Sequence, residues 1–110
     1  MAKPPKVHKV KRIAPNSIRR KFNKSQYPDM IAKGQLVQHI IRNNHLSNPR
    51  RVGEPFCTHS QIIRYHSQDG SWFVTVHQYK RLDGTIGASG KPDPKRLRIG
   101  NDVFISDTKA

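Results

Sequence analysis

The hydrophobic positions between residues 28 and 43 recur at steps of three and four, which is the spacing of one face of a helix. Pro28 suits a first turn, where its missing amide hydrogen is not needed, and Asp29 favours the positive end of the helix dipole. Gly34 weakens the middle of such a helix by about 1 kcal/mol relative to alanine. The sequence therefore predicts one main amphipathic helix over residues 28–43. Its apolar stripe consists of Met30, Ile31, Gly34, Val37, Ile40 and Ile41.

Beyond residue 56 the apolar positions recur at every second residue, which is the spacing of one face of a strand. We predict strands over residues 61–67 and 72–81, joined through Asp69-Gly70, because this dipeptide tolerates the positive φ angles of a tight turn. The register of that hairpin gathers the apolar side chains on a core face, which the predicted helix covers. The core face consists of Ile63, Tyr65, Trp72, Val74 and Val76.

A second hairpin is predicted near the C-terminus, with strands over residues 95–99 and 102–106 around Gly100-Asn101. We expect its apolar side chains to point inward and its basic side chains to point outward. The inward set is Leu97, Ile99, Val103 and Ile105, and the outward set is Arg96 and Arg98.

The loop between the two hairpins, residues 83–94, contains the string GASGK. A Walker phosphate loop needs a glycine five residues before Gly90, where Thr85 stands, and a Ser or Thr after Lys91, where Pro92 stands. We therefore predict ordinary turns here. A single phosphate contact by glycine amides and Lys91 is the alternative.

These elements predict an α+β fold with a basic flexible N-terminal tail, one main helix and a small antiparallel sheet of three to five strands built from hairpins. Residues 1–24 are expected to be the tail and residues 25–110 a single domain, since the chain of 110 residues fits one domain. Asn16 and Ser17 allow a short helical turn within the tail, with Ile18 and Phe22 on one face.

Charge is distributed unevenly along the chain. Residues 1–53 carry thirteen Lys and Arg against the single acid Asp29, whereas residues 54–110 carry eight basic and six acidic residues, for a net charge of +14. Like charges at this density repel one another unless a polyanion neutralises them. Nucleic acid is the polyanion that best fits, because its phosphates bind Lys and Arg and release counterions.

The second face of the first predicted hairpin interleaves aromatic rings, imidazoles and guanidinium groups. Bases stack on such rings while cations hold phosphates, so we predict a small basic, non-enzymatic RNA-binding or DNA-binding protein, with RNA favoured. We expect its phosphate contacts to come mostly from residues 1–53 and its base stacking from this sheet face. Alternatively, residues 84–110 cover this face and its aromatics are ordinary core. The candidate nucleic-acid contacts are Lys9, Lys11, Arg12, Arg19, Arg20, Lys21, Arg50, Arg51, Arg64, His66, Phe73, His77, Tyr79, Arg81 and Lys91.

Two other functions remain open, a metal-independent endoribonuclease and an assembly factor that docks on an acidic protein. A helix followed by an antiparallel sheet is similar to the architecture of small bacterial ribonuclease toxins of the RelE and barnase type. The catalytic candidates are then His77, Arg64, His66 and Tyr79, since imidazole serves as base or acid near neutral pH. The predicted register separates His66 from His77 by about 13 Å, so one histidine would have to act without the other.

Metal binding is the least supported chemistry. Cys57 and His59, with His66 or His77, could supply ligands, but the paired spacing of structural zinc sites is missing, so we predict neither metal nor cofactor. No apolar run approaches the ~20 residues of a spanning helix, so no membrane partner is expected. One cysteine fits a reducing compartment, and we expect a cytoplasmic location.

Overall fold

The computed structural model, which describes residues 7, 9–87 and 90–107, contains a six-stranded sheet with helices packed on one face. The order across the sheet is β1-β6-β5-β4-β3-β2; β1 runs parallel to β6 and the other neighbours are antiparallel. The predicted α+β class with a largely antiparallel sheet is confirmed. The strands are β1 (Lys9–Ile13), β2 (Val37–His45), β3 (His59–His66), β4 (Phe73–Lys80), β5 (Asp93–Ile99) and β6 (Asp102–Ser106), the helices are α1 (Pro15–Lys24) and α2 (Tyr27–Ala32), and a 3-10 turn spans Pro49–Val52.

The main helix predicted over residues 28–43 is wrong. The helix α2 ends at Ala32, and Gly34 follows in the left-handed region at φ 68°, a conformation that glycine adopts without steric cost. The amide of Gln35 donates to the carbonyl of Met30, which closes the helix end. The later half of the apolar stripe is rich in β-branched side chains, which suit the pleated surface of a strand, and it forms β2.

The flexible tail predicted for residues 1–24 requires correction from Lys9 onwards. The strand β1 pairs with β6 over its whole length, and the amide of Asp107 donates to the carbonyl of Ile13 at 2.7 Å. The predicted short helix is the longer helix α1, which buries Ile18 and Phe22 against the sheet. Residues 1–6 and 8 lie outside the described residues.

The first hairpin has the predicted register. Tyr65 pairs with Val74 and Ile63 pairs with Val76, so the predicted core face is one face of the sheet. The helices α1 and α2 cover that face in place of the single helix expected there. The buried hydrophobic core consists of Ile18, Phe22, Tyr27, Leu36, Ile63, Tyr65, Val74, Val76 and Leu97.

The second hairpin is also present, but half of its predicted orientation is wrong. Because Ile99 pairs with Asp102, Leu97 lies opposite Phe104, and both side chains contact the core. Residues at odd positions of β6 then point to the other face: Val103 opposite Arg98 and Ile105 opposite Arg96. With β1 and β2 added, the sheet has six strands instead of three to five.

Tyr27 connects the helical layer to the sheet. Its side chain is fully buried, its ring stacks on Phe22 and meets Trp72 edge-on, and its hydroxyl reaches between β4 and β5. There the hydroxyl accepts from the amide of Phe73 at 2.8 Å and lies within hydrogen-bonding distance of the carbonyls of Phe73 and Arg98. Burial raises the pKa of this phenol to about 12, so the group stays a neutral donor and acceptor.

We predict that Tyr27→Phe lowers the free energy of unfolding by about 1–3 kcal/mol, because a buried amide and buried carbonyls lose their partner while the ring is retained. Urea denaturation of the purified protein measures this change. The control is Tyr79→Phe, which removes a hydroxyl from a half-buried ring on the opposite face and should change stability by less than about 0.5 kcal/mol. Equal effects of the two substitutions would contradict the bridging role of Tyr27.

Candidate nucleic-acid interface

One face of the sheet is not covered by the helices, and we call it the outer face. Residues 84–110 could have covered it, but their described part forms β5 and β6, which extend the sheet sideways. The side chains predicted to interleave on the first hairpin therefore lie on an open surface. Those on β3 and β4 are Ile62, Arg64, His66, Phe73, Thr75, His77 and Tyr79.

The outer face carries many cations and few acids. Arg12 lies opposite Ile105, Arg42 opposite Ile62 and Arg96 opposite Thr75, so basic side chains occur from one edge of the sheet to the other. Asp93 is the acidic residue among the described strand residues of this face. Its carboxylate oxygens lie 2.9 Å from Arg19 Nε and 2.9 Å from Lys95 Nζ. Burial opposes the ionisation of Asp93, but hydrogen bonds from these two cations outweigh it and hold its pKa below the ordinary value.

The predicted candidates on β3 and β4 form two groups. At one end, the guanidinium of Arg64 lies over the ring of Phe73 at 5.6 Å, and His66 lies directly opposite Phe73. At the other end, His77 and Tyr79 meet edge to face with ring centroids 4.8 Å apart. His66 and His77 are four register positions apart, as the sequence predicted, so they cannot flank one phosphate.

The edge strand β2 adds His39 to this end of the outer face, a residue that is not among the candidates predicted from the sequence. The ring of His39 is nearly parallel to that of His66, with centroids 5.1 Å apart, and their Nε2 atoms are 3.0 Å apart. His66 Nδ1 lies 2.8 Å from the carbonyl of Ser67, so Nδ1 carries the proton and donates. If His66 is neutral, its Nε2 is then the acceptor and His39 Nε2 the donor. The exposed end of the outer face thus presents a pair of imidazoles in contact.

A groove of about 390 Å³ opens where α1 passes the end of β4 and β5. It brings together four of the predicted candidates from three separate segments of the chain: α1, β4 and the loop before β5. These are Arg19, His77, Tyr79 and Lys91. The groove therefore connects the outer face to the basic helix α1.

His77 lines this groove, and its surroundings favour the neutral form of the imidazole. Burial lowers its pKa from the ordinary 6.5, the neighbouring Lys95 lowers it further, and Asp93 opposes them. His77 Nε2 and Ser60 Oγ are 2.8 Å apart. The imidazole is therefore neutral near pH 7 and able to accept a proton, which is the property of a general base as well as of an ordinary hydrogen-bonding group.

Arg81, a predicted nucleic-acid contact, lies just beyond the end of β4 at Lys80, and its guanidinium binds a carboxylate of the protein itself. Its Nε lies 2.9 Å from Oε1 of Glu54, whose side chain is only 2% exposed, and Nη2 lies 3.4 Å from Oε2. This two-point contact neutralises a buried carboxylate. Gly87 must remain small beside it, because an added Cβ would lie 2.2 Å from that carboxylate.

The remaining candidates are dispersed over other surfaces. Lys9 and Lys11 are exposed on β1 at the edge of the sheet, and Arg50 and Arg51 are exposed in the 3-10 turn. Arg20 and Lys21 lie on α1, on the helical side of the sheet, where Lys21 lies over the ring of Phe104. Three outer-face residues, Arg96, Val103 and Ile105, are not among the nucleic-acid contacts predicted from the sequence. The alternation of side chains along the second hairpin is the signal that could have assigned them to the outer face.

The suggested metal ligands do not converge. Cys57 is exposed, and His59 contacts Asn43 and the ring of His45. Within residues 7, 9–87 and 90–107, no group of three or more His, Cys, Asp or Glu is placed to hold a metal ion.

Comparisons with protein-family models, with curated proteins and with solved structures found no match to this chain. In the part of the chain that the structure describes, neither helix has the length and apolar character needed to cross a membrane. The functional argument therefore rests on the geometry of the outer face and the groove.

We predict that the pKa of His77, followed by its imidazole proton resonances, lies below 6.5 and rises in Lys95→Ala, because that substitution removes a nearby cation and leaves Asp93 less neutralised. Since the folded protein favours neutral His77, this residue stabilises the fold above pH 6.5, and its contribution is lost as the pH falls through the lowered pKa. Lys24→Ala, on α1, is the control and should leave the titration unchanged. A His77 pKa of 6.5 or higher, or a pKa that does not change in Lys95→Ala, would contradict the described environment of His77.

Proposed function

We propose that this protein binds RNA without catalysing a reaction, with the outer face as the principal contact surface. The observation that carries the proposal is an open sheet face on which arginines alternate with aromatic and histidine rings and the nearby carboxylate is already neutralised. Guanidinium groups bind phosphates, and exposed rings stack with bases. The two chemistries on one surface match the two parts of a nucleotide.

The uneven charge of the chain supports the same partner. Arg12 and Arg42, both from the basic first half, lie on the outer face, Arg42 beside the aromatic strand β3 and Arg12 on the opposite edge strand β1. The groove with Arg19 and Lys91 continues this surface round the edge of the sheet towards Arg20 on α1. An RNA chain that crosses the outer face and follows this route would meet cations from both halves of the protein.

RNA is favoured over DNA because sequence-specific and base-stacking contacts in RNA recognition use unpaired bases on open surfaces. An acidic protein is the alternative partner for a basic surface, but it would not explain why Phe73 and Tyr79 lie among the cations. A competition experiment distinguishes the two kinds of partner. If heparin displaces a bound acidic protein and RNA does not, the assembly role is favoured.

We predict that RNA affinity falls linearly on a logarithmic scale as salt increases, and that Arg42→Ala with Arg96→Ala, two arginines on separate strands of the outer face, reduces the slope by about 1.4, since each lost phosphate contact on a single strand contributes about 0.7. Fluorescence anisotropy with a labelled RNA measures the slope. The matched control removes two charges from the helical layer, with Lys24→Ala and Lys33→Ala, and should leave the slope within error of the original.

A flat salt response would contradict the proposal, as would equal slopes for the two double variants. The same mixtures, incubated with EDTA and analysed on a denaturing gel, also test for cleavage. Intact RNA that shifts on a native gel supports binding alone.

A metal-independent endoribonuclease is the second candidate, and the environment of His77 favours it. A neutral imidazole in a groove lined also by Tyr79, Arg19 and Lys91 has two of the components that cleavage through a 2′-hydroxyl requires, a base for the hydroxyl proton and cations for the phosphate. The third, an acid that protonates the leaving 5′-oxygen, would be the phenol of Tyr79. RNA cleavage in EDTA that disappears in His77→Ala would establish this activity in place of simple binding.

A further inference from the structure

Two hollows lie side by side in the outer face and share three residues. The first, which we call the Phe73 hollow, has a volume of about 520 Å³ and an apolar floor that includes Phe73 and Val103. The second, the Ile62 hollow, has a volume of about 480 Å³ and includes Ile41 and Ile62. Both volumes fall within the usual range of ligand pockets. The shared residues are Arg64, Arg96 and Ile105.

A ridge of arginines separates the hollows. Thr75 on β4 pairs with Arg64 on β3 on one side and with Arg96 on β5 on the other. Neighbouring Cα atoms across paired strands are about 5 Å apart, so the two arginines stand about 10 Å apart across a short threonine side chain. Two guanidinium groups can therefore approach one anion that rests above Thr75.

The lining of the hollows defines the ligand chemically. The Phe73 hollow combines apolar side chains with Arg64, Arg96 and Arg98 and contains no carboxylate among its lining residues, and the Ile62 hollow adds Lys95 without an acid. A flat apolar group with an anion beside it fits this combination, and a nucleobase with its phosphate is such a group. The guanidinium of Arg64 lies over the Phe73 ring, and both groups line this hollow, so a base that enters it meets two planar groups on which bases stack.

We propose that the two hollows hold two consecutive unpaired bases of single-stranded RNA, with the phosphate between them on Arg64 and Arg96. This inference rests on the proposed function and specifies the form of RNA. A duplex cannot occupy the hollows, because its base faces are stacked inside the helix and it offers only phosphates and groove edges. The protein therefore prefers single-stranded RNA.

The test compares a short labelled oligouridylate with the same strand annealed to complementary oligoadenylate, by anisotropy at one fixed salt concentration. We expect the full chain to bind the single strand about tenfold more tightly or better. Phe73→Ala should weaken single-strand binding about tenfold and duplex binding less than about twofold, in line with the value of one base-aromatic stack. Phe73→Tyr retains the ring and should stay within about twofold.

Phe56→Ala is the matched control, because that ring is 71% exposed and lies outside both hollows, so neither affinity should change. Should Phe73→Ala fail to fold, Thr75→Glu tests the ridge instead: its carboxylate would take the position of the phosphate and weaken single-strand binding about tenfold.

Equal wild-type affinity for single strand and duplex, or a loss in Phe73→Ala that is the same for both, would overturn the inference and leave RNA binding standing. If neither RNA binds at low salt, the proposed function fails and this inference fails with it.

Discussion

The buried hydroxyl of Tyr27 joins the two layers of this protein. It bonds to the amide of Phe73 on β4 and reaches the carbonyl of Arg98 on β5, while its ring packs against Phe22 and Trp72. One side chain thus fixes both the position of the helices and the spacing of two central strands. Because those helices pack on one face of the sheet, the described part of the chain leaves the other face open.

This one-sided packing explains why the same strands serve stability and the proposed function. Along β4, Val74 and Val76 are buried under the helices while Phe73 and His77 alternate with them on the outer face. Side chains alternate between the two faces of a strand, so shifting β4 by one residue would bring its core side chains to the outer face. The register of the strands that carry the proposed binding surface is therefore fixed by the core packing behind them.

Local patterns predicted the two hairpins and the register of the first, because alternation and the Asp-Gly turn act within a few residues. The segment from Val37 to Ile41 forms a strand and not the predicted helix, because its apolar spacing fits both structures. The left-handed conformation of Gly34 follows the end of α2 and separates the helix from this strand. In the second hairpin, the pairing of Ile99 with Asp102 across the turn puts Ile105 opposite Arg96 and therefore on the outer face. This position follows from the two-residue turn and was predictable from the sequence. The pairing of β1 with β6 joins the two ends of the chain, and no local pattern predicts it.

Photocrosslinking of bound RNA, followed by mass spectrometry of the attached peptides, tests the central claim most directly. The account predicts crosslinks to outer-face residues of β3, β4 and β5, with Phe73 and Tyr79 among them. Crosslinks confined to α1, α2 or the 3-10 turn at Pro49–Val52 would contradict it, because the open sheet face would then have no part in binding.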